Sequence, residues 1–345
     1  MGGNVTYGYP ISNRQRLSFT IGASNTEVIP GSTVPYEITD FIDANGDDYY
    51  EFTLGLSWRY SSLNRGLFPT AGTEHKVSGD LAIPGSDLTW YKLGYTMNHY
   101  IPLSQEWALR FRTDLGYGNG YGDISGLPFY KNFRSGGIGS VRGWRINSLG
   151  PQGLPRYSTV NVASTDANGN VEYETDSLGM PIVDPTAPTT IYAVDENGDT
   201  VMINNPNQYK PKYEVANGGE VVTAPNYLYR LQALGGNVLV ETSLELIFPL
   251  PFIEDRSSLR SVVFLDAGNA FTDKCYKPND PDVPSLTEHP FCNEGIELDE
   301  MRISTGVGVT WITAIGPLTF TYSFPLNDKD KDRTEGFEFS LGQVF

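Results

Sequence analysis

Alternation of apolar and polar side chains, repeated segment after segment, dominates this 345-residue chain. Phe52, Leu54, Leu56, Trp58 and Tyr60 alternate with Glu51, Thr53, Gly55, Ser57 and Arg59. Trp107, Leu109, Phe111, Leu115 and Tyr117 alternate with Arg110, Arg112, Asp114 and Gly116, and Leu318, Phe320, Tyr322 and Phe324 alternate with Thr319, Thr321 and Ser323. Successive side chains of a strand point to opposite faces, so each segment carries one greasy and one polar face. Eleven such segments are expected, at about 4–11, 16–28, 49–60, 74–84, 88–103, 107–118, 236–249, 259–272, 301–312, 316–326 and 334–345. No amphipathic helix competes with them, and the fold class is read as all-β.

The connections say where the greasy face goes. Short turns are expected after the first, fifth and seventh segments (Ser12 to Gln15, Ser104-Gln105-Glu106, Pro251 to Ser258). Long polar loops follow the second, sixth and eighth (29–48, 119–235 and 273–300). The turn at Pro84-Gly85-Ser86 departs from that order by being short. Short turns at one rim and long loops at the other describe an outer-membrane barrel, and Trp and Tyr at strand ends match its aromatic girdles. A soluble β-sandwich adhesin or lectin is the alternative, and it would need no detergent. No run of about 18 apolar residues exists, which excludes a transmembrane helix but not strands, for which about 9–11 residues suffice. With 41 acidic against 24 basic residues the net charge is −17, which argues against nucleic acid as a partner. Bacterial single-chain barrels generally have an even number of strands. An odd eleven, behind a Met1-Gly2-Gly3 start that runs straight into Val5, Tyr7 and Tyr9 with no signal-peptide pattern, suggests a fragment whose preceding strands were removed.

The segment 119–235 is too long for a plain connection. Its second part, about 160–228, is rich in Asn, Asp and Thr, with hairpin-like turns expected at Asn168-Gly169 and Asn197-Gly198, and reads as a surface excursion above the barrel. Its first part holds Gly136-Gly137 followed by Val141-Arg142-Gly143-Trp144. These residues resemble the VRG(F/Y) loop motif of the outer-membrane β-barrel assembly superfamily, with Trp144 where Phe or Tyr is usual. Asn64-Arg65-Gly66-Leu67-Phe68-Pro69-Thr70-Ala71-Gly72 is similar to that family's D/N-R-G-x-x-P-T-x-G turn, and Phe337 to Phe345 resembles its closing strand.

The resemblance covers essentially the whole chain. It implies an antiparallel transmembrane β-barrel of the bacterial outer membrane, with residues 1–345 forming the carboxy-terminal part of a sixteen-stranded barrel. The first five strands and the periplasmic POTRA domains are expected to be absent, and 119–235 is expected to enter the lumen. It also implies that Arg142 is held by acids, with Glu245 and Asp266 in that role. Alternation independently turns Glu245 inward with Glu241 and Ser243; the facing of Asp266, after Phe264-Leu265, is ambiguous. A guanidinium inside a lumen needs carboxylates, and its planar fork suits bidentate pairing. The alternative is an arginine in a solvated loop.

The function so implied is insertion and folding of β-barrel proteins, through a weak seam between the first and last strands. The seam edge expected is the closing strand, with Phe337, Phe339, Leu341 and Phe345 on one face and Gly342 weakening its packing. Partners implied are nascent outer-membrane proteins, outer-membrane lipid and lipopolysaccharide, and accessory lipoproteins acting through the POTRA domains. A two-partner secretion translocator or passive channel of the same superfamily is the alternative. Without its first strands the fragment is expected to be inactive alone.

No enzyme, cofactor or metal site is expected. His75, His99 and His289 lie apart from any nucleophile pattern. Asp43 to Asp47, Asp166 to Asn170 and Asp195 to Asp199 look like pieces of calcium loops, but none has the full oxygen set, and turns are the better reading. Asp328, Asp330 and Asp332, interleaved with Lys329, Lys331 and Arg333, read as a solvated turn. Cys275 and Cys292 have no neighbouring His pair for zinc; a disulfide closing their polar loop is expected, in an oxidising compartment.

Overall fold

The computed structural model describes residues 1–31, 34–154, 157–159, 162–166, 170–194, 200–212, 223–225, 232–250, 258–277, 292–329 and 332–342. Eleven strands form one antiparallel sheet. They are β1 (Gly2–Ser12), β2 (Gln15–Glu27), β3 (Asp48–Ser61), β4 (Gly72–Ala82), β5 (Trp90–Pro102), β6 (Ala108–Gly120), β7 (Val238–Phe248), β8 (Leu259–Phe271), β9 (Arg302–Thr313), β10 (Gly316–Pro325) and β11 (Phe337–Leu341). Each pairs with its neighbour in the chain, and β6 pairs directly with β7 across the long insertion. Ser243 on β7 therefore lies between Arg112 on β6 and Asp266 on β8, and Asp266 faces Ser304 on β9. Among the described residues, β1 and β11 are the two ends of the sheet.

Burial is the reverse of that in a water-soluble protein, where charges lie outside and large apolar groups inside. Glu51, Arg110, Glu241, Glu245, Asp266 and Arg302 are buried on the inner face, with Thr310, Thr319, Thr321 and Ser323. The outer face leaves Phe52, Leu54, Leu56, Phe111, Leu244, Leu265, Val307, Tyr322 and Phe337 exposed. These outer side chains meet across the ladders. Phe111 and Leu265 flank Leu244, Val263 faces Val307, Val307 faces Tyr322, and Tyr322 faces Phe337. An apolar belt continuous from strand to strand, backed by charge, is the wall of a transmembrane barrel.

One expectation fails in the loop after β2. Within the polar loop expected over 29–48, Tyr36–Asn45 forms a helix, α1, between Pro35 and Gly46. Ile38, Phe41 and Ile42 recur at helical spacing over a run too short to stand alone. Packing supplies the rest: the Phe41 ring meets Tyr49 edge-on at 6.0 Å and Phe129 at 5.4 Å. Gly46, at φ +86°, ends the helix and donates its N–H to the Ile42 carbonyl. Asp43, Ala44 and Asn45 are thus the last turn of α1 rather than a turn of their own.

The acidic stretch after β10 is also more than a solvated turn. Asp332 accepts from Arg302 Nε at 2.5 Å and Nη2 at 3.2 Å, and Lys329 Nζ pairs with Glu300 at 2.6 Å. Asp330 and Lys331 lie outside the described residues. β11 is shorter than the expected 334–345, and both Phe345 and the two residues before it lie outside the described residues.

Residues Pro155–Arg230 form a compact unit of their own. Within it Thr190–Val194 pairs antiparallel with Thr200–Asn204 and parallel with Val162–Ala163, and Tyr157–Thr159 pairs with Thr223–Pro225. The turns expected at Asn168-Gly169 and Asn197-Gly198 fall outside the described residues.

Cys275 and Cys292 form a disulfide, with Cα atoms 5.9 Å apart. In the chain-entropy model a cross-link over a loop of this size constrains the unfolded state by about 3 kcal/mol. Replacing both cysteines by Ser is expected to lower the temperature at which the folded species is lost on a heated gel, without changing the strand content seen by circular dichroism.

Candidate functional site

The site is assembled by the first part of the long insertion, which folds against the inner face of β7 to β11. Gly136 and Gly137, at φ +101° and +95°, turn the chain, and the Gly137 N–H donates to the Val141 carbonyl at 3.0 Å. Val141, Trp144 and Leu149 pack as one buried cluster. Arg142, at 3% exposure, is thereby aimed at the wall of the barrel.

Its guanidinium meets Asp266 side-on. Nε donates to Oδ2 at 2.7 Å and Nη2 to Oδ1 at 2.7 Å, while the Arg142 backbone N–H reaches Oδ2 at 3.1 Å. Nη2 also donates to Glu245 Oε1 at 2.9 Å and to Ser243 Oγ at 3.1 Å. The Phe264 ring lies under the group, 3.5 Å from Cζ to centroid, a cation–π contact. Burial alone would lower the pKa of Arg142, but Asp266 and Glu245 outweigh it and raise it above the ordinary guanidinium value, so the charge is permanent. The structure thus brings Arg142, Glu245 and Asp266 together.

Several participants escape a reading of the sequence. Glu245 is shared: its Oε2 accepts from Arg110 Nη1 at 2.9 Å, and Arg110 is steadied by Asn98. Glu241 accepts the Ser140 hydroxyl, and Arg112 donates to the Gly139 carbonyl. Phe264 faces inward, in phase with Asp266 along β8. A side chain at Gly306 on β9 would meet the Phe264 ring at 2.6 Å, so a residue without Cβ lets that ring lie where Arg142 stacks.

The closing strand enters from its polar side. Glu338, between Phe337 and Phe339, accepts from the Gly143 N–H at 3.3 Å and from Thr321 Oγ1 at 3.3 Å. The loop before β11 continues the contact: the Glu335 N–H donates to the Gly143 carbonyl at 2.9 Å and the Arg145 N–H to the Arg333 carbonyl at 2.8 Å, with Trp144 bridged to Thr334. Phe337, Phe339 and Leu341 point outward and are exposed, and Gly342 follows them at φ +94°. A lone acid in the run Phe-Glu-Phe-Ser-Leu was the available signal for Glu338.

Gly143 stands at φ +94°, and a Cβ there would lie 3.3 Å from Ser323 Cβ and 3.4 Å from Pro325 and Ser304. Gly143→Ala is expected to cost about 1–3 kcal/mol in backbone strain, read as earlier loss of the folded species on heating.

A family model described as the Omp85 superfamily domain matches residues 1–345. The chain belongs to the Omp85 superfamily. This Omp85 chain is 26% identical over 359 residues to the outer membrane protein assembly factor BamA of Neisseria meningitidis serogroup B. That match covers 100% of this chain and 36% of the relative. Its fold matches the crystal structure of BamA from Haemophilus ducreyi lacking POTRA domains 1–3, with a TM-score of 0.67 and 26% identity. There it covers 98% of this chain and 53% of the other. The chain therefore spans about a third of the curated relative and about half of the solved one. Like other members of the superfamily it is a β-barrel protein of the bacterial outer membrane.

Proposed function

We propose that this chain is the carboxy-terminal part of a barrel that folds other β-barrel proteins into the outer membrane, without covalent chemistry of its own. Family membership and the relatedness to BamA support the reading. The observation that carries it is a single loop motif bonded at once to β7, β8 and β11. A barrel used only as a wall has no need to couple an internal loop to its last strand. An assembly device does, because the geometry of that strand decides whether an incoming strand can pair with it. Pairing at a sheet edge is a general recognition mode, and an unpaired edge in hydrocarbon is costly enough to favour capture of a nascent strand. Nascent outer-membrane proteins are the substrates on this reading, with accessory lipoproteins and lipopolysaccharide as surroundings.

The test is reconstitution of the full-length protein of this reading frame in liposomes, with an unrelated unfolded barrel protein added. Faster appearance of the folded, heat-modifiable form supports the proposal. Ion conductance with no acceleration of folding contradicts it and favours a polypeptide translocator.

A further inference from the structure

Two of the three histidines in the sequence stand on the outer face of adjoining strands. His75 on β4 is in phase with Val77, and His99 on β5 with Leu93 and Ile101, all exposed on the apolar side. The charged side chains of these two strands, Glu74, Lys76, Asp80 and Lys92, take the inward phase instead. In the register Thr73 faces His99 and His75 faces Met97, so the imidazoles are diagonal neighbours, about 7–8 Å apart by the geometry of such pairs.

Each ring is held by one nitrogen. Nδ1 of His75 lies 3.0 Å from the Tyr95 hydroxyl, and the two rings stack with centroids 6.1 Å apart. Nδ1 of His99 lies 2.6 Å from Thr73 Oγ1. A hydroxyl donating to Nδ1 leaves the proton of a neutral imidazole on Nε2. Among the described residues neither Nε2 has a hydrogen-bond partner. Two ring N–H donors therefore stand together on a wall that otherwise meets hydrocarbon, where an unmatched polar group is costly.

Depth decides what can meet them. His75 is three residues inside the start of β4 at Gly72, and His99 three before the end of β5 at Pro102, roughly 10 Å along a strand. A short connection leads from β5 to β6, and in outer-membrane barrels that rim is the periplasmic one. Trp58 stacks on Tyr60 at 6.4 Å, and Tyr60 lies 6.1 Å from the His75 ring, so the histidine belongs to the aromatic girdle, which sits at headgroup level. The periplasmic leaflet of an outer membrane is built of glycerophospholipids, and lipopolysaccharide lies at the opposite rim. With no lysine or arginine on the outer face of β4 or β5, the pair is poorly equipped to hold a free ion against water. It suits a phosphate that acyl chains bring to it.

We propose that His75 and His99 form a headgroup site for a glycerophospholipid of the periplasmic leaflet, each donating its Nε2 proton to the phosphate while Val77 and Leu93 lie along the chains. The site rests on the outer-membrane barrel and not on the assembly reading, so either can fail alone.

The test follows the imidazole nitrogens of the histidine-labelled full-length protein by NMR in an alkyl maltoside, with His75→Phe and His99→Phe assigning the two signals. Dimyristoylphosphatidylglycerol is expected to shift both Nε2 signals saturably. Dimyristoylglycerol, with the same chains and no phosphate, is expected to leave them in place, and so is inorganic phosphate. Removing either imidazole should weaken the midpoint for the other at least about tenfold, since one charge-assisted bond is lost. Phenylalanine keeps the ring and suits a lipid-facing position; if either variant does not fold, His75→Gln or His99→Gln supplies the assignment. Signals unmoved by the phospholipid, moved as far by the diacylglycerol, or saturated by inorganic phosphate would each overturn the proposal.

Discussion

Arg142→Ala is expected to destabilise the barrel by roughly 3–5 kcal/mol, the range for removing one partner of a buried ion pair. The loss falls mainly on Asp266, which is fully buried and would keep only the Ser243 hydroxyl and the Arg142 backbone N–H, whereas Glu245 retains Arg110. Arg142→Lys keeps the charge but cannot reproduce the two parallel bonds to Asp266, and should fall between the wild type and Ala. Thermal or denaturant unfolding followed by gel mobility reads the effect directly. The double variant Arg142→Met with Asp266→Leu removes both charges together and should recover much of the stability. On the proposed function it should not recover folding of client barrels, because the fork that locks the loop is still missing. Full recovery of both would reduce the motif to a packing element.

The second large effect concerns the outer face. Leu265→Arg places a guanidinium on the exposed side of β8, between Leu244 and Thr305 on the adjoining strands. Near the bilayer midplane such a change costs about 2–4 kcal/mol. Thr319→Ser on the inner face of β10, where Thr319 meets the Thr310 hydroxyl at 3.0 Å, should cost far less because a hydroxyl remains. Reversible unfolding from liposomes measures both. In a water-soluble sheet Leu265→Arg on an exposed face would be nearly neutral, so its size separates the two environments.

Much of this was legible in the chain. Alternation located all eleven strands, because a residue facing lipid and its neighbour facing a polar lumen differ sharply in character. It placed Glu245 inward by the same logic. Asp266 resisted because Phe264 and Leu265 before it are both apolar. Phe264 turned out to face the lumen, where the Arg142 guanidinium covers it, a partnership no local pattern announces. Arg110 was readable, with Arg112, as a cation in inward phase, but its assignment to the Arg142 cluster required the pairing of β6 and β7. The apolar side of the closing strand carries its visible pattern, whereas the role of Glu338 is set on the opposite face, by Gly143 from a distant loop. Helix α1 was missed because its apolar residues number too few to signal a period, and rings brought from β3 and the insertion complete its packing.

Tryptophan fluorescence in liposomes of brominated lipid tests the central claim most directly, since bromine on acyl chains quenches only rings that touch hydrocarbon. Trp311 is half exposed on the outer face of β9, and Trp144 is fully buried inside the loop motif. In variants retaining one of these as the sole tryptophan, the account predicts strong quenching of Trp311 and none of Trp144. An unquenched Trp311, or equal quenching of the two, would contradict a sheet whose apolar side faces the bilayer and whose charged side faces the lumen.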